Sequence, residues 1–444
     1  MDTAFTKTRP RITRFECGEP ELVGATVRLP YAATGEDGAG YSFTEEIVFP
    51  GEVTDGPVTR GLIRLLSLSA SLSYYKAFAP VPFSVPSGLT PAERNFVTEL
   101  IRNGLGEFAV VNDMPEALEP TVTGPERDPE PVGSPIVAEQ RLLVAVGGGK
   151  DSIVSLETLR RADVELGLVA VNPRLPIERT AATAGLPLHS AKRAIDAELL
   201  RLNDEGAPNG HVPVTAINSL IALISAAATG FDTVVFSNEA SASFGNQHWA
   251  GRDINHQWSK SADFERLLRE SLPHGSPQYL SLLRPLTEIR IARAFAGMTA
   301  YHGVFTSCNR AFRLSAAANA TWCGDCPKCR FVFLVLAPFL SRKELLEIFG
   351  GRDLFADESQ LTGFLELLGA DGLLKPFECV GEPDECRVAL ALLREHDDWA
   401  GHPFLDRDEI AALAATDAER ESVFAWHDDE HFLSSALEAV VREV

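Results

Sequence analysis

The segment Arg141–Leu159 reads R-L-L-V-A-V-G-G-G-K-D-S-I-V-S-L-E-T-L. Its apolar run Leu142–Val146 predicts a buried strand, and Gly147–Gly149 predicts a tight turn. A helix is predicted to begin near Asp151 or Ser152. Glycines allow the backbone to approach an anion closely, and the N-terminus of the following helix directs unpaired amides and a positive dipole end at the same point. The segment therefore predicts a cradle for phosphate groups, to which Lys150 adds a mobile positive charge.

The spacing distinguishes this turn from two common phosphate-binding motifs. A Walker A motif needs a glycine where Val144 stands and a Ser or Thr where Asp151 follows Lys150, and the glycines do not fit G-x-G-x-x-G. An ordinary glycine-rich turn without a ligand is the alternative interpretation.

The turn resembles the PP-loop of the ATP pyrophosphatases, which reads S-G-G-x-D-S. Gly148, Gly149, Asp151 and Ser152 match it, whereas Gly147 replaces the first Ser and removes one hydroxyl donor. The resemblance implies cleavage of ATP between its α and β phosphates, with release of pyrophosphate and adenylation of a second molecule.

Outside this segment, alternating patterns predict an α/β fold with a doubly wound parallel sheet. The resemblance to the PP-loop implies that this sheet is of the PP-loop, adenine nucleotide alpha hydrolase-like type. Three regions are expected: an N-terminal α+β domain over 1–135, a PP-loop domain over 136–340 and a helical C-terminal region over 341–444. The first ends in a proline-rich linker, Pro115–Pro135. Strands are predicted at Ile12–Phe15, Thr26–Leu29, Tyr41–Phe49, Leu166–Val171, Leu186–Leu188, Thr233–Phe236 and Gly303–Ser307, and helices at Pro91–Leu105, Ala194–Leu202, Ala216–Ala228, Ala262–Leu272 and Thr287–Ala296.

A polar loop follows the strand predicted at Thr233–Phe236. Ligands of parallel α/β sheets bind beside the carboxyl ends of the strands, so polar side chains in this loop are candidates for the site. A solvated connection is the alternative. The candidates are Asn238, Glu239, Asn246, Asn255, His256, Ser259 and Lys260.

Four cysteines predict a metal site. Cys323, Cys326 and Cys329 are each separated by two residues, and Cys308 can complete a tetrahedral thiolate set. A structural zinc ion is the favoured interpretation, and an iron–sulfur cluster is the alternative. Cys379 stands apart from this set in K-P-F-E-C-V-G-E, where a small buried apolar role is favoured over a place in the active site.

Composition limits the partners and the compartment. A net charge of −22 argues against a nucleic-acid partner. The longest apolar run, Phe331–Leu340, is too short to span a membrane and contains Pro338. No secretory signal is evident, and seven cysteines suit a reducing compartment, so a cytoplasmic location is expected. The oligomeric state stays open.

Seven short segments together resemble the MurL-type UDP-N-acetylmuramoyl-L-alanyl-L-glutamate epimerases. They are S-Y-Y-K-A at Ser73, G-G-G-K-D-S at Gly147, S-N-E-A-S-A at Ser237, N-H-Q-W-S-K-S at Asn255, S-C-N-R-A-F at Ser307, W-C-G-D-C-P-K-C-R-F-V-F-L at Trp322 and K-P-F-E-C-V-G-E at Lys375. The resemblance implies conversion of the terminal L-Glu of UDP-MurNAc-L-Ala-L-Glu to D-Glu for peptidoglycan synthesis. ATP and Mg²⁺ are used in that reaction, and AMP and pyrophosphate are released.

On this basis Gly147–Ser152 is expected to bind ATP, with Asp151 contacting the phosphates through Mg²⁺ or water. Glu239, His256 and Lys260 are the expected proton-transfer and carboxylate-binding groups. His256 is the leading base because the unperturbed pKa of histidine lies near neutrality. Asn238, Asn246, Asn255 and Ser259 are expected to bind substrate. A PP-loop ligase or nucleoside-modifying enzyme related to the deazaguanine nitrile synthases and a non-catalytic, zinc-stabilised nucleotide-binding module remain alternatives. An oxazolone route to epimerisation also remains open.

Overall fold

The computed structural model describes residues 10–131, 133, 140–312, 322–413, 415–428 and 431–444. Within these ranges the fold is mixed α/β. The strands are β1 Ile12–Cys17, β2 Glu21–Val23, β3 Thr26–Gly35, β4 Gly40–Val48, β5 Phe83–Ser84, β6 Val122–Thr123, β7 Arg141–Ala145, β8 Glu165–Val171, β9 Leu188–Ala194, β10 Thr233–Phe236, β11 Gln247–Trp249, β12 Arg252–Ile254 and β13 Gln278–Ser281.

Helices connect the strands and make up most of the C-terminal region. They are α1 Pro57–Tyr75, α2 Pro91–Gly104, α3 Gly106–Asn112, α4 Lys150–Leu159, α5 Leu175–Ala184, α6 Ala197–Asp204, α7 Val214–Thr229, α8 Ala262–Ser271, α9 Glu288–Ala296, α10 Pro327–Leu336, α11 Arg342–Ile348, α12 Leu361–Leu367, α13 Pro383–Leu393, α14 Asp408–Ala411, α15 Asp417–Phe424 and α16 Ser435–Val441. The predicted helical C-terminal region is confirmed.

The centre of the fold is a parallel sheet in the order β13-β10-β7-β8-β9. Successive side chains of a strand point to opposite faces. On β7, Leu143 faces a core that includes α7, whereas Leu142 and Val144 face a second core that includes α4, α9 and α10. The parallel sheet predicted from the sequence is confirmed, with a hydrophobic core on each face.

Two sequence predictions in this sheet are wrong. The strand expected at Leu186–Leu188 begins only at Leu188, and Ala194 is its last residue rather than the start of a helix. The cause is pairing on both sides: β9 runs parallel to β8 and antiparallel to β4, so its polar residues belong to a strand. Helix α6 begins later, capped by the carboxylate of Asp196.

The strand expected at Gly303–Ser307 is also absent from the described residues. The sheet edge beside β10 is occupied by β13, which pairs with β10 over four residues and which the sequence reading missed. Residues 303–307 instead follow a 3-10 helix, Thr299–Tyr301, and cross the glycine turn, where the Thr306 amide donates to the Gly148 carbonyl at 2.9 Å.

The N-terminal strands extend the same sheet. Strands β1, β3 and β4 are antiparallel, β4 pairs antiparallel with β9, and one eleven-stranded sheet results within the described residues. The early strands predicted from the sequence are confirmed. So is the helix start at Pro91, where Thr90 and Glu93 form a reciprocal capping box.

A buried ion pair lies where the two parts of the sheet meet. Arg193 of β9 donates to both carboxylate oxygens of Glu45 of β4, at 2.7 and 3.0 Å, and to the Ser73 hydroxyl at 2.9 Å. Glu45 has no solvent exposure. Next to it, the Tyr74 hydroxyl accepts a hydrogen bond from the Asp196 amide. These contacts connect α1 and β4 to the parallel sheet.

No helix in the described part of the chain is both long and apolar enough to cross a membrane.

We predict that Glu45→Gln lowers the free energy of unfolding by about 3–5 kcal/mol, because Arg193 would keep a buried charge without its counterion. The control is Glu46→Gln, on the same strand, whose pair with Arg28 is solvent-exposed. That change should cost about 0–1 kcal/mol. Chemical denaturation measures both values, and equal losses would contradict a special role for the buried pair.

Candidate functional site

A cavity of about 380 Å³, lined by both polar and apolar residues, opens at the carboxyl ends of β7, β8 and β10. Parallel pairing brings these ends to one edge of the sheet, and the residues that follow each strand form the wall. The lining residues are Ala145, Val146, Gly147, Gly149, Asp151, Ser152, Val169, Ala170, Val171, Ile177, Thr215, Asn218, Ala222, Phe236, Ser237, Asn238, Glu239, Lys260, Thr306, Ser307, Asn309, Phe312 and Lys328.

The glycine turn forms one end of this cavity. Gly148 has a φ of +77°, and a β-carbon on it would lie 3.3 Å from the Ile177 amide nitrogen. Gly149 is the N-cap, so α4 begins at Lys150, one residue earlier than predicted. The Ser152 hydroxyl donates to the Gly149 carbonyl at 3.0 Å. The first amides of α4 lack carbonyl partners within the helix, which leaves them available to an anion.

Lys150 does not line the cavity. Its side chain is buried, and its ammonium group pairs with the carboxylates of Asp151 and Glu288. The Phe331 ring centroid lies 6.0 Å from the ammonium nitrogen. The lysines that do line the cavity are Lys260 and Lys328.

Carboxylates surround the Lys150 ammonium group. Burial raises the pKa of Glu288 to about 8. The positive charge of Lys150 lowers this pKa, whereas the negative charges of Asp151, Glu239 and Glu385 raise it. Burial also raises the pKa of Glu385, whose oxygens accept from the Glu288 amide at 2.6 Å and the Ser241 hydroxyl at 2.8 Å.

Asp151 shows the opposite shift. Burial alone would raise its pKa, but the positive charges of Lys150, Lys328 and Lys260 outweigh burial and lower the pKa. The cavity therefore contains a stable Asp151 carboxylate, and Glu239, which is 4% exposed, supplies a second carboxyl group on its wall.

The polar loop after β10 contributes three of its predicted residues to the cavity. Asn238, Glu239 and Lys260 line it, and the Asn238 side-chain amide donates to the Ser281 hydroxyl at 2.9 Å. Arg284 supports this part of the loop by donating to the carbonyls of Glu239, at 2.8 Å, and Lys260, at 2.5 Å.

Three other predicted residues of the loop lie outside the cavity lining. The Asn246 side chain donates to the Pro376 carbonyl at 3.2 Å and accepts from the His256 amide at 2.8 Å. The Asn255 side chain bridges the Ala242 carbonyl and the Gln257 amide, and Ser259 is buried. These contacts hold the shape of the loop.

His256 also lies outside the lining and belongs to a neighbouring cluster. Its Nδ1 hydrogen-bonds the Glu107 carboxylate, and its ring centroid lies 4.3 Å from that of His211. Burial opposes its charge, yet hydrogen bonds to Cys379 and Glu107 raise its pKa to about 9, whereas burial and the His256 charge lower that of His211 to about 4. At neutral pH His256 is therefore protonated, which differs from the near-neutral pKa on which its choice as a base rested.

Cys379 belongs to the segment Lys375–Glu382, which Asn246 contacts at the Pro376 carbonyl and Asn309 contacts at the Glu378 carboxylate. Burial would raise the pKa of its thiol, but the charges of Lys260, Lys328 and His256 lower this pKa to about 6, and the residue is partly exposed. The sequence reading favoured a small buried apolar role, but the structure places the thiol among charged groups. The charged groups are Lys260, Lys328 and His256. They lie far from Cys379 in the sequence, so no local pattern indicated them.

The four predicted metal ligands come together. The Sγ atoms of Cys308, Cys323, Cys326 and Cys329 all lie within 4.8 Å of one another. Cys329 Sγ is 3.6 Å from Cys323 Sγ and 3.5 Å from Cys326 Sγ. Four sulfurs around one tetrahedral zinc ion lie about 3.8 Å apart, given bonds of about 2.3 Å. The donor set fits a single ion, whereas a cluster distributes its thiolates over several iron atoms.

The cysteine cluster adjoins the cavity through its chain neighbours. Thr306 and Ser307 precede Cys308, and Lys328 stands between Cys326 and Cys329. The sequence reading missed these three lining residues, although their proximity to the cysteines could have indicated them. Glu107, His211 and Glu288 were also missed, and the sequence carries no local pattern that marks them.

These features define an α/β protein whose parallel sheet holds a cavity with charged side chains at a glycine turn, beside a four-cysteine cluster. The family model described as the MurL N-terminal domain matches residues 6–282, and that described as the MurL C-terminal domain matches residues 304–423. The chain belongs to the MurL family.

Curated relatives carry one name, UDP-N-acetyl-alpha-D-muramoyl-L-alanyl-L-glutamate epimerase. The relative from Micromonospora sp. is 47% identical over 415 residues, which cover 91% of this chain and 90% of the relative. The relative from Salinispora tropica is 47% identical over 89% of this chain and 88% of its own length. The relative from Xanthomonas oryzae pv. oryzae is 38% identical over 95% of this chain and 91% of its own length.

We predict that Gly148→Ala lowers the free energy of unfolding by about 1–2 kcal/mol, because alanine is strained at the positive φ of this position. Gly147→Ala is the matched control: a β-carbon there meets no atom within 4 Å and φ is not positive. It should change stability by less than about 0.5 kcal/mol. Denaturant titration compares the two, and equal effects would contradict the described turn.

Proposed function

We propose that this protein epimerises the terminal L-Glu of UDP-MurNAc-L-Ala-L-Glu to D-Glu, with ATP converted to AMP and pyrophosphate. The observation that carries the proposal is the cavity that the glycine turn and the start of α4, with Asp151, line together with Glu239 and Lys260. The names of the relatives supply the substrate.

ATP is assigned to the glycine turn, in the manner of a PP-loop. The backbone amides of Gly147–Gly149 and the start of α4 bind the polyphosphate, together with Ser152. Lys260 and Lys328 face the phosphates from the cavity wall, while Lys150 acts from behind it by balancing Asp151 and Glu288.

Mg²⁺ is assigned to Asp151. Oxygen ligands suit this ion, and the lowered pKa of Asp151 keeps its carboxylate charged. Bound there with the polyphosphate, Mg²⁺ supplies neutralisation of phosphate charge.

Activation explains why an epimerase would consume ATP. The α-hydrogen beside a free carboxylate is poorly acidic, because its removal places a second negative charge next to the first. An acyl-adenylate removes that charge and makes the carbonyl an electron sink, so a side-chain base can take the proton. The planar intermediate loses its configuration, is reprotonated on either face, and water then releases AMP.

The substrate end of the cavity is assigned to the loop after β10. Glu239 and Lys260 line the cavity and are proposed to transfer protons or bind the glutamyl carboxylates, with Asn238 beside them. Asn246, Asn255 and Ser259 shape the loop, and Asn246 also connects it to the segment that carries Pro376. His256 is proposed to act from the neighbouring cluster.

A zinc ion is assigned to the four cysteines. All four positions of a tetrahedral ion are then filled by protein sulfurs, which leaves none open for water or substrate. Cys308, Cys326 and Cys329 would hold such an ion, which would fix their chain neighbours Thr306, Ser307 and Lys328 at the cavity wall.

We expect incubation with UDP-MurNAc-L-Ala-L-Glu, ATP and Mg²⁺ in D2O to yield AMP, pyrophosphate and D-Glu with deuterium at the α-carbon. Mass spectrometry, chiral analysis of the released glutamate and nucleotide chromatography follow the products. A ligase would join a second molecule to the glutamate instead. AMP formation with fully retained L-Glu, or epimerisation without ATP, would overturn the proposal.

Asp151→Asn tests the assigned ATP site in the same assay. AMP formation should fall to the background rate, because the carboxylate that faces the phosphates and Mg²⁺ is lost. Asp163→Asn is the control, since Asp163 is exposed in the turn after α4. It should retain full AMP formation. Equal activity of the two variants would remove Asp151 from the site.

We predict one zinc ion per chain, measured by elemental analysis of the purified protein. Cys329→Ala should lose the zinc and lower the melting temperature, because a three-sulfur site binds more weakly. Cys386→Ala is the control: Cys386 is buried but lies outside the cluster. It should retain the ion. Iron in place of zinc would contradict the assignment.

A further inference from the structure

A carboxylate and two imidazoles from three separate parts of the chain meet at one point. Glu107 lies at the start of α3, His211 in the segment before α7, and His256 in the polar loop after β12. One donor atom of each side chain lies within 4.8 Å of the donor atoms of the other two. The ring centroids of the two histidines are 4.3 Å apart. Tertiary packing, rather than local sequence, therefore assembles this group.

Glycines allow the three elements to approach one another closely. A β-carbon on Gly106 would lie 3.1 Å from a methyl carbon of Ile254, and one on Gly210 would lie 3.2 Å from Cα of Phe108. Gly106 and Phe108 flank the carboxylate residue in the sequence, Gly210 precedes the first histidine, and Ile254 lies two residues before the second. The contacts between these elements therefore set the spacing of the three side chains.

Hydrogen bonds hold the segments that carry the histidines. The Asn209 carbonyl accepts from the side-chain amide of Asn112 at 3.0 Å, which connects the segment before α7 to α3. The backbone amide of His256 donates to the side-chain oxygen of Asn246 at 2.8 Å, and the Phe377 ring packs beside its imidazole with centroids 6.4 Å apart. Side chains that are already held in place lose less freedom when they bind a ligand.

The spacing of the donor atoms fits coordination of one ion. Nδ1 of His211 lies 3.9 Å from Oε2 of Glu107, which is too long for a hydrogen bond. Within the described residues the His211 ring makes no hydrogen bond. Ligands of a tetrahedral zinc ion lie about 3.3 Å apart, given bonds of about 2.0–2.1 Å. Glu107 and Nδ1 of His256 share a hydrogen bond, and an ion would take the place of its proton.

We propose that Glu107, His211 and His256 bind a divalent transition-metal ion of the zinc class. Two imidazoles and a carboxylate suit such ions, whereas Mg²⁺ prefers oxygen ligands alone. Three protein ligands leave a position open for water or another oxygen ligand. The site is separate from the four-cysteine cluster, and the inference goes beyond the proposed function without depending on it.

An ion at this site would cross-link three parts of the fold. It would join α3, the segment before α7 and the polar loop, which are far apart in the sequence. Lys260, which lines the cavity, follows four residues after His256 in the same loop. The ion would therefore lie near the cavity in the chain, although its ligands do not line the cavity. Because it binds only the folded protein, it should also raise the melting temperature.

Cobalt(II) is a suitable probe, because its visible spectrum reports the type and number of its ligands. The unaltered protein, with zinc in the cysteine cluster, is titrated with cobalt chloride. Three ligands hold an ion less tightly than four thiolates, so the cluster should keep its zinc and the added ion should fill this site. We expect bands of a four- or five-coordinate nitrogen–oxygen site. Octahedral cobalt alone, or a thiolate charge-transfer band alone, would overturn the proposal.

His211→Ala should raise the Kd for Co²⁺ by at least about 100-fold, because loss of an outer-shell partner alone costs about 10–100-fold. His248→Ala is the matched control. His248 also pairs with a carboxylate, with Nδ1 2.9 Å from Asp253, but this pair is exposed and belongs to no group of three donors among the described residues. The control should bind Co²⁺ as tightly as the unaltered protein. Equal affinities of the two variants would contradict the proposed site.

X-ray absorption at the cobalt edge makes the test independent of how the variants fold. In the unaltered protein the bound cobalt should have nitrogen and oxygen neighbours, with the scattering pattern of imidazole and without sulfur. Sulfur neighbours would place the ion in the cysteine cluster, and oxygen neighbours without imidazole would place it on surface carboxylates. Either result would rule out the site at Glu107, His211 and His256.

Discussion

Parallel pairing of five strands is the constraint on which the rest of the structure depends. Because β13, β10, β7, β8 and β9 run in one direction, every strand delivers its following residues to the same edge. The glycine turn follows β7 and the polar loop follows β10, and they meet in one cavity although about ninety residues separate them. Burial of both faces under helices keeps this edge, rather than a face, available for chemistry.

Much of the fold was predictable because its patterns are local. The apolar run before Gly147 determines β7, and Thr90 with Pro91 determines the start of α2. The errors at β9 and β13 have a different cause. Strand β9 is polar enough to read as a connection and becomes a strand only through pairing with β4 and β8. Strand β13 is four residues long, and its place at the sheet edge depends on tertiary contacts.

The residues of the candidate site also fall into two groups, those that local sequence patterns indicate and those that only tertiary contacts bring in. Residues contiguous with the turn or the loop, such as Asp151 and Glu239, were found from the sequence because their position after a strand identifies the edge they occupy. Sequence alone did not indicate that Lys150 would pair with Glu288, which lies 138 residues away, or that Glu107 would bond to His256. Side-chain partners of this kind are set by how α9 and α3 pack, and no local pattern encodes them.

The proximity of the cysteine cluster to the cavity has a consequence for chain entropy. An ion held by Cys308 and Cys323 closes a ring of chain whose two ends are fixed beside the cavity wall. Closure entropy grows only with the logarithm of ring length, by about 0.6 kcal/mol for each doubling. The free-energy cost of closing this ring would therefore depend only weakly on its length. A displacement of Cys308 itself would move Ser307, whose hydroxyl lies 2.8 Å from the position of a β-carbon on Gly149. A change in the position of the cysteine cluster would thus reach the glycine turn through Ser307.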